Sequence, residues 1–108
     1  MLPFVSALAL LLGSLHGTVM RGPITPVCQA GVPCDGPAAH MTLYFTRSGT
    51  RTSTATDAQG HYRVKLKVGV YTVRTNQKVF GKIPKPDTIH ILAGRDRRVD
   101  FFVDTGIR

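Results

Sequence analysis

The first 20 residues of this 108-residue chain contain no charged side chain, and the whole chain contains no glutamate. All 14 lysines and arginines and all six acidic residues therefore lie from Arg21 onward, where they give a formal net charge of +8. The chain is too short for two domains, a dinucleotide-binding fold or an eightfold βα barrel. Its 43% hydrophobic content is ordinary for a folded domain and argues against bulk disorder.

Cysteine is scarce, and the two residues present lack the spacing of a redox or metal site. Cys28 and Cys34 lie in a stretch rich in proline and glycine, without a Cys-x-x-Cys motif and without further ligands at zinc-finger spacing. A disulfide between them would close a small loop and fits an oxidising compartment. The alternative is a pair of reduced thiols.

No apolar run is long enough to cross a bilayer, which takes about 20 residues. The run 2–15 has the length of a signal-peptide core, although no lysine or arginine precedes it. We therefore predict an exported protein with a signal peptide or short membrane anchor over residues 1–14. A single domain over 15–104 and a short tail over 105–108 follow.

A period of two dominates the chain, and a helical period of 3.6 is absent beyond the apolar start. Tyr62, Val64 and Leu66 alternate with basic residues, and the segment 57–60 has the chemistry of a hairpin turn. Strands are expected over residues 16–21, 41–46, 52–56, 61–67, 71–73, 88–91 and 98–104. The polar strand 52–56 is expected at a sheet edge. The pattern predicts an all-β fold, a seven-stranded antiparallel Greek-key β-sandwich.

Several short motifs carry a family resemblance. They are Gly17-x-Val19, Thr56-Asp57-x-x-Gly60-x-Tyr62-x-Val64-x-Leu66, Gly69-x-Tyr71-x-Val73 and Val99-x-Phe101. Together they resemble carboxypeptidase regulatory-like domains over about residues 15–104. The cysteine pair after the first strand is similar to a small bacterial exported subgroup. The resemblance implies a transthyretin-like sandwich that serves as a binding or structural module. The related hydroxyisourate hydrolases end in Tyr-Arg-Gly-Ser, which this chain lacks.

Groups that could perform catalysis do not converge in the sequence. The four histidines are far apart, and no serine lies in a nucleophile-elbow context. Asp57 is better explained as a turn residue than as a general acid. We therefore predict no catalytic residues, no metal site and no cofactor, and the chain is not expected to be an enzyme.

Acidic residues are also absent between Asp57 and Asp87, a stretch that holds seven basic ones. The strand 61–67 and the loop 76–86 are therefore predicted to form a basic binding surface. Its candidate residues are Arg63, Lys65, Lys67, Lys78, Phe80, Lys82 and Lys85. The expected partner is an anionic polymer, a lipid head group or an acidic protein, and nucleic acid is the least favoured. Two alternatives remain open: a solvated face that maintains solubility, and a structural domain that pairs with a protein or itself through a sheet edge.

Overall fold

The computed structural model describes residues 11–24, 31, 34–77 and 82–106, in which alternating residues form nine strands and no helix. The strands are β1 Leu12–Gly22, β2 Gly36–Pro37, β3 Thr42–Arg47, β4 Thr50–Ala55, β5 His61–Lys67, β6 Gly69–Thr75, β7 Thr88–Ile91, β8 Asp96–Arg98 and β9 Phe101–Asp104. Each of the seven expected strands has a counterpart. The additional strands β2 and β8 have two and three residues, too few to show alternation in a sequence.

Strand β1 is the centre of the first sheet. Its residues 14–16 pair with β5 in antiparallel and with β8 in parallel orientation, which places these partners on opposite edges. Residues 20–21 pair in the same two ways with β2 and β9. The expected antiparallel pairing is therefore wrong for β8 and β9. Alternation indicates which face a side chain takes, but not the direction of the neighbouring strand.

The second sheet is wholly antiparallel and has the order β4-β3-β6-β7. Strand β4 stands at one end of this order, which confirms the prediction of an edge strand. Strands β3 and β4 form a hairpin whose turn contains Gly49 at φ 80°. The hairpin closes because glycine adopts this left-handed conformation without strain.

The segment 57–60 is a turn, as predicted, but the strands that it joins are not a hairpin. The Asp57 Oδ1 atom accepts hydrogen bonds from the backbone N–H groups of Gln59 and His61, both at 2.9 Å. Gly60 supplies the left-handed conformation, with φ 80°. The turn takes the chain from β4 in the second sheet to β5 in the first. The chemistry of the turn was predictable, whereas the change of sheet was not.

The hydrophobic core lies between the two sheets and is built from alternate residues of their strands. The ring of Phe101 packs 6.4 Å from the ring of Phe45, on the opposite sheet, and 5.5 Å from that of Tyr62. Burial of such side chains is the main stabilising contribution to a small sandwich. The buried hydrophobic residues are Leu15, Val19, Ala38, Met41, Leu43, Phe45, Tyr62, Val64, Leu66, Tyr71, Val73, Ile89, Ile91, Phe101 and Val103.

Both core tyrosines have a partner for their hydroxyl group. The Tyr62 hydroxyl donates to the carbonyl oxygen of Val99 at 2.5 Å, and the Tyr71 hydroxyl donates to the backbone carbonyl oxygen of Lys67 at 2.8 Å. Burial, with a smaller contribution from Asp100, raises the pKa of Tyr62. The hydroxyl therefore stays protonated and links β5 to the segment between β8 and β9.

The amino-terminal and cysteine predictions concern residues that lie largely outside the described ranges. Strand β1 begins at Leu12, four residues before the expected start, and residues 12–14 pair with β5. Residues 1–10 and Cys28 are not among the described residues, so the signal peptide and the disulfide stay predictions. Among the described residues, none belongs to a helix with the length and apolarity needed to cross a membrane.

Candidate anion-binding surface

The outer face of β5 carries the basic side chains that the sequence placed there. Arg63, Lys65 and Lys67 are exposed, and the three residues between and before them point into the core. A strand with one solvated and one buried face produces this alternation. The structure therefore confirms the orientation of these three candidate residues.

Arg63 differs from the two lysines because an aspartate neutralises it. Its Nη1 atom lies 3.3 Å from Oδ2 of Asp96, whose Oδ1 atom lies 2.9 Å from Nδ1 of His16. The hydrogen bond to His16, supported by Arg63, lowers the pKa of the Asp96 carboxyl group below its ordinary value of 3.8. The available positive charge on β5 is therefore that of Lys65 and Lys67.

Two further arginines join these lysines at one end of the sandwich. Arg47, Lys65 and Lys67 line a cleft of about 320 Å³. Lys65 also borders a second cleft, of about 300 Å³, together with Arg95 and with Asp96, whose carboxylate is paired with Arg63 and His16. We call these four residues the basic end. Because Lys65 lies between the clefts, a ligand with several negative charges can contact more than two cations at once.

Loops from both sheets create the basic end. Arg47 directly precedes the β3–β4 turn, and its side chain lies over Gly69 at the β5–β6 turn, where a Cβ atom would collide with it. Arg95 lies between β7 and β8, and its carbonyl oxygen accepts a hydrogen bond from the backbone N–H of Ser14 at 2.8 Å. Sequence reasoning missed both arginines. Their only signal was a position within two residues of a turn glycine.

The predicted basic loop does not lie beside these residues. Lys82 and Lys85 are exposed, but Lys85 pairs with Phe102, which is opposite Met20 near the other end of β1. Lys65 and Lys67 pair with residues 14 and 12 of β1, which lie about 20 to 26 Å from Met20 along that strand. Lys78 and Phe80 lie outside the described residues. The two groups therefore do not form one continuous surface.

A further cleft, of about 580 Å³, is charge-balanced instead of basic. His16, His61, Arg63 and Arg98 line it. Each has an aspartate within 4.0 Å, with Arg98 Nε lying 3.2 Å from Oδ1 of Asp100 and His61 Nδ1 lying 3.8 Å from Asp57. Within the described part of the chain, no group of three or more histidine, cysteine or acidic residues could hold a metal ion. This cleft offers an anion less net charge than the basic end does.

Acid should destabilise the protein through these aspartates. Hydrogen bonds lower the pKa values of three aspartates below the ordinary value of 3.8. The main hydrogen-bond partner is the His61 backbone for Asp57, the His16 side chain for Asp96 and the Thr18 backbone for Asp100. A carboxyl group whose pKa is lower in the folded state stabilises the fold at pH values above its unfolded-state pKa. This stabilisation is lost as the pH falls through the folded-state pKa. We expect the melting temperature to fall steeply below about pH 4.

The variant Asp96→Asn separates this effect from general charge repulsion at low pH. It should melt below the wild type at pH 6, and the difference should shrink towards pH 2, because protonation removes the same charge. Thermal unfolding followed by circular dichroism measures both curves. A difference that is constant across this range would contradict a role for the Asp96 charge.

Comparison with solved structures supports the β-sandwich. The chain superposes on the TIE protein of Bacillus anthracis with a TM-score of 0.55 and 14% identity, over 86% of this chain and 16% of that one. It superposes on GBS52, the minor pilin of Streptococcus agalactiae, with a TM-score of 0.59 and 15% identity, over 86% and 44% of the two chains. A DUF3823 family protein from Parabacteroides merdae gives 0.49 at 15% identity, over 85% and 45%.

These likenesses concern the fold alone, since at most 15% of residues are identical and the chain spans less than half of each neighbour. No protein-family model matches the sequence, and no curated protein matches it. The carboxypeptidase regulatory-like assignment and the exported subgroup therefore stay predictions. The two neighbours with TM-scores above 0.5 support a β-sandwich fold for this chain.

Proposed function

We propose that this chain is a non-catalytic accessory module, located outside the cell or in its envelope, that contacts an anionic component through the basic end. The observation that carries the proposal is the convergence of Arg47, Lys65, Lys67 and Arg95 around two clefts. Among the described residues, none of these four cations is in an ion pair with an aspartate.

Charge distribution supports an anionic partner. Three of the six aspartates, Asp57, Asp96 and Asp100, are paired with basic groups on the first sheet. Asp96 also lines the second cleft of the basic end, but its carboxylate is already paired with His16 and Arg63. Clustered cations attract polyanions. Binding releases the counterions that are condensed on the polyanion, so the affinity depends strongly on the salt concentration. Solubility alone requires net charge but does not require its concentration at one end.

The proposed location rests on the apolar start of the sequence and on the cysteines. A disulfide between Cys28 and Cys34 fits an oxidising compartment. The fold shared with a minor pilin is compatible with a surface location. Membership of the carboxypeptidase regulatory-like family, with a transthyretin-like Greek-key arrangement, belongs to the same proposal.

Matched charge reversals test the binding surface. Lys65→Glu with Lys67→Glu should weaken binding to long-chain polyphosphate and dextran sulfate at least about tenfold, because two attractions become repulsions. Lys82→Glu with Lys85→Glu makes the same change in net charge, from +8 to +4, at the other end of β1. This control should bind within about threefold of the wild type, since distant exposed charges are screened.

Isothermal titration calorimetry at several salt concentrations, with melting temperatures as a folding check, measures these affinities. Equal losses in the two double variants would show that only net charge matters. A larger loss in the Lys82 and Lys85 variant would place the site on the loop.

The second candidate function is pairing through the edge strand β4. Within the described residues β4 has a strand partner on one side only, β3, although Thr54 Oγ1 donates to the Arg63 carbonyl oxygen at 3.2 Å. An open edge can accept a strand from a partner or a second copy. Association that survives 1 M salt in analytical ultracentrifugation would favour this function, whereas a monomer at all concentrations would remove support for self-pairing.

A further inference from the structure

Four large apolar side chains are exposed at the same end of the sandwich as the basic residues. The exposed fractions are 58% for Leu11, 37% for Leu12, 50% for Val70 and 46% for Leu92. A cluster of this kind is unfavourable in water and commonly marks a contact surface. The strands themselves bury their apolar faces, so these residues are not needed by the core.

Backbone hydrogen bonds hold this cluster together. The Leu11 carbonyl oxygen accepts from Val68 N at 2.8 Å, next to the β5–β6 turn, and that of Leu12 accepts from Gly94 N at 2.9 Å, in the β7–β8 connection. Leu92 lies in the same connection, and Val70 is two residues beyond Val68. The start of β1 and the two turns therefore meet at this end of the sandwich, where the four apolar side chains are exposed.

The basic end surrounds this apolar cluster. Lys67 is opposite Leu12 across β1 and β5, and Arg95 follows Leu92 by three residues. Leu12 lines both clefts of the basic end. An apolar centre with a cationic rim matches the boundary between acyl chains and anionic head groups in a lipid bilayer. A soluble polyanion would bind the cations but would make no favourable contact with the exposed leucines.

Ile24, an exposed apolar residue beyond the other end of β1, has a different setting. It follows β1, and Gly22 at the end of that strand lies against Asp35 and pairs with Asp104. Carboxylates beside an apolar group are repelled by an anionic surface. The carboxylates set Ile24 apart from the basic end, whereas Ile83 lies between Lys82 and Lys85 in the sequence and has two cations near it instead of four.

We propose that the basic end docks on an anionic lipid surface, with Leu11, Leu12, Val70 and Leu92 inserted at the head-group level and the four cations among the head groups. This inference rests on the proposed function and specifies its partner. It adds a requirement for apolar side chains that binding to a soluble polymer does not have.

Binding of the full chain to vesicles of phosphatidylcholine with 30% phosphatidylglycerol tests the inference, with long-chain polyphosphate in parallel. Leu11→Ser with Leu92→Ser should weaken vesicle binding about tenfold and leave polyphosphate binding unchanged. The matched control Ile24→Ser with Ile83→Ser changes two side chains that are 41% and 54% exposed, and it should bind vesicles like the wild type.

A fluorescence measurement reports insertion directly, because the chain contains no tryptophan. Leu92→Trp should shift its emission to the blue with these vesicles but not with polyphosphate, and Ile83→Trp should shift with neither. Binding to polyphosphate without vesicle binding, or without a blue shift at position 92, would overturn the membrane inference while the proposed function stands. Failure to bind either probe would overturn both.

Discussion

Replacing Phe45 with alanine is expected to reduce the free energy of unfolding by about 3–5 kcal/mol. Phe45 is fully buried, and its ring packs 6.4 Å from that of Phe101 across the interface between the two sheets. The change removes the ring and leaves a cavity that neighbouring strands cannot easily fill. A domain of this size has only about 5–10 kcal/mol of stability, so much of it would disappear.

The adjacent residue provides a matched control. Tyr44 lies on the same strand with its ring on the outer face, where the Arg51 guanidinium carbon is 4.5 Å from the ring centre. Tyr44→Ala should cost less than about 1.5 kcal/mol, because it loses a half-exposed contact and creates no cavity. Urea unfolding followed by circular dichroism compares the variants. Similar losses at Phe45 and Tyr44 would contradict a core between the two sheets.

Replacing Gly17 with alanine is expected to cost about 3 kcal/mol, the upper end of the range for overpacking. A Cβ atom at this position would collide with the Val99 carbonyl oxygen and would lie 2.8 Å from Oδ1 of Asp100. Both obstacles lie between β8 and β9, which pair with β1 in parallel. The collision involves backbone, so a side-chain rotation cannot relieve it.

Gly36→Ala is the control for this prediction, since a Cβ atom there would be 3.6 Å from Ile24, an ordinary contact. We expect it to unfold within about 0.5 kcal/mol of the wild type in the same urea titration. If Gly17→Ala were as stable as Gly36→Ala, the close approach of the β8–β9 segment to β1 would be wrong.

Local patterns predicted the parts of the structure that depend on single strands. The alternation through Tyr62, Val64 and Leu66 indicated which side chains of β5 are buried, and Asp57 with Gly60 indicated the turn before it. Period and turn chemistry are properties of neighbouring residues, so a sequence contains them directly.

Features that depend on strand order were not accessible in this way. Lys65 and Lys85 have the same charge and belong to the same stretch without acidic residues, but the register of β5 and β9 along β1 places them at opposite ends. Arg47 and Arg95 line the same clefts as Lys65 only because three separate turns meet. Register and sheet assignment are set by long-range packing, which a period of two does not encode.

The central claim, that the basic end is the binding surface, is tested most directly by following the backbone amide resonances of the isotope-labelled protein during titration with polyphosphate. We expect saturable changes concentrated at residues 47–50, 65–68 and 92–96, with little change at Lys82, Ile83 and Lys85. Changes centred on these three residues, or small changes spread over the whole surface without saturation, would contradict the account.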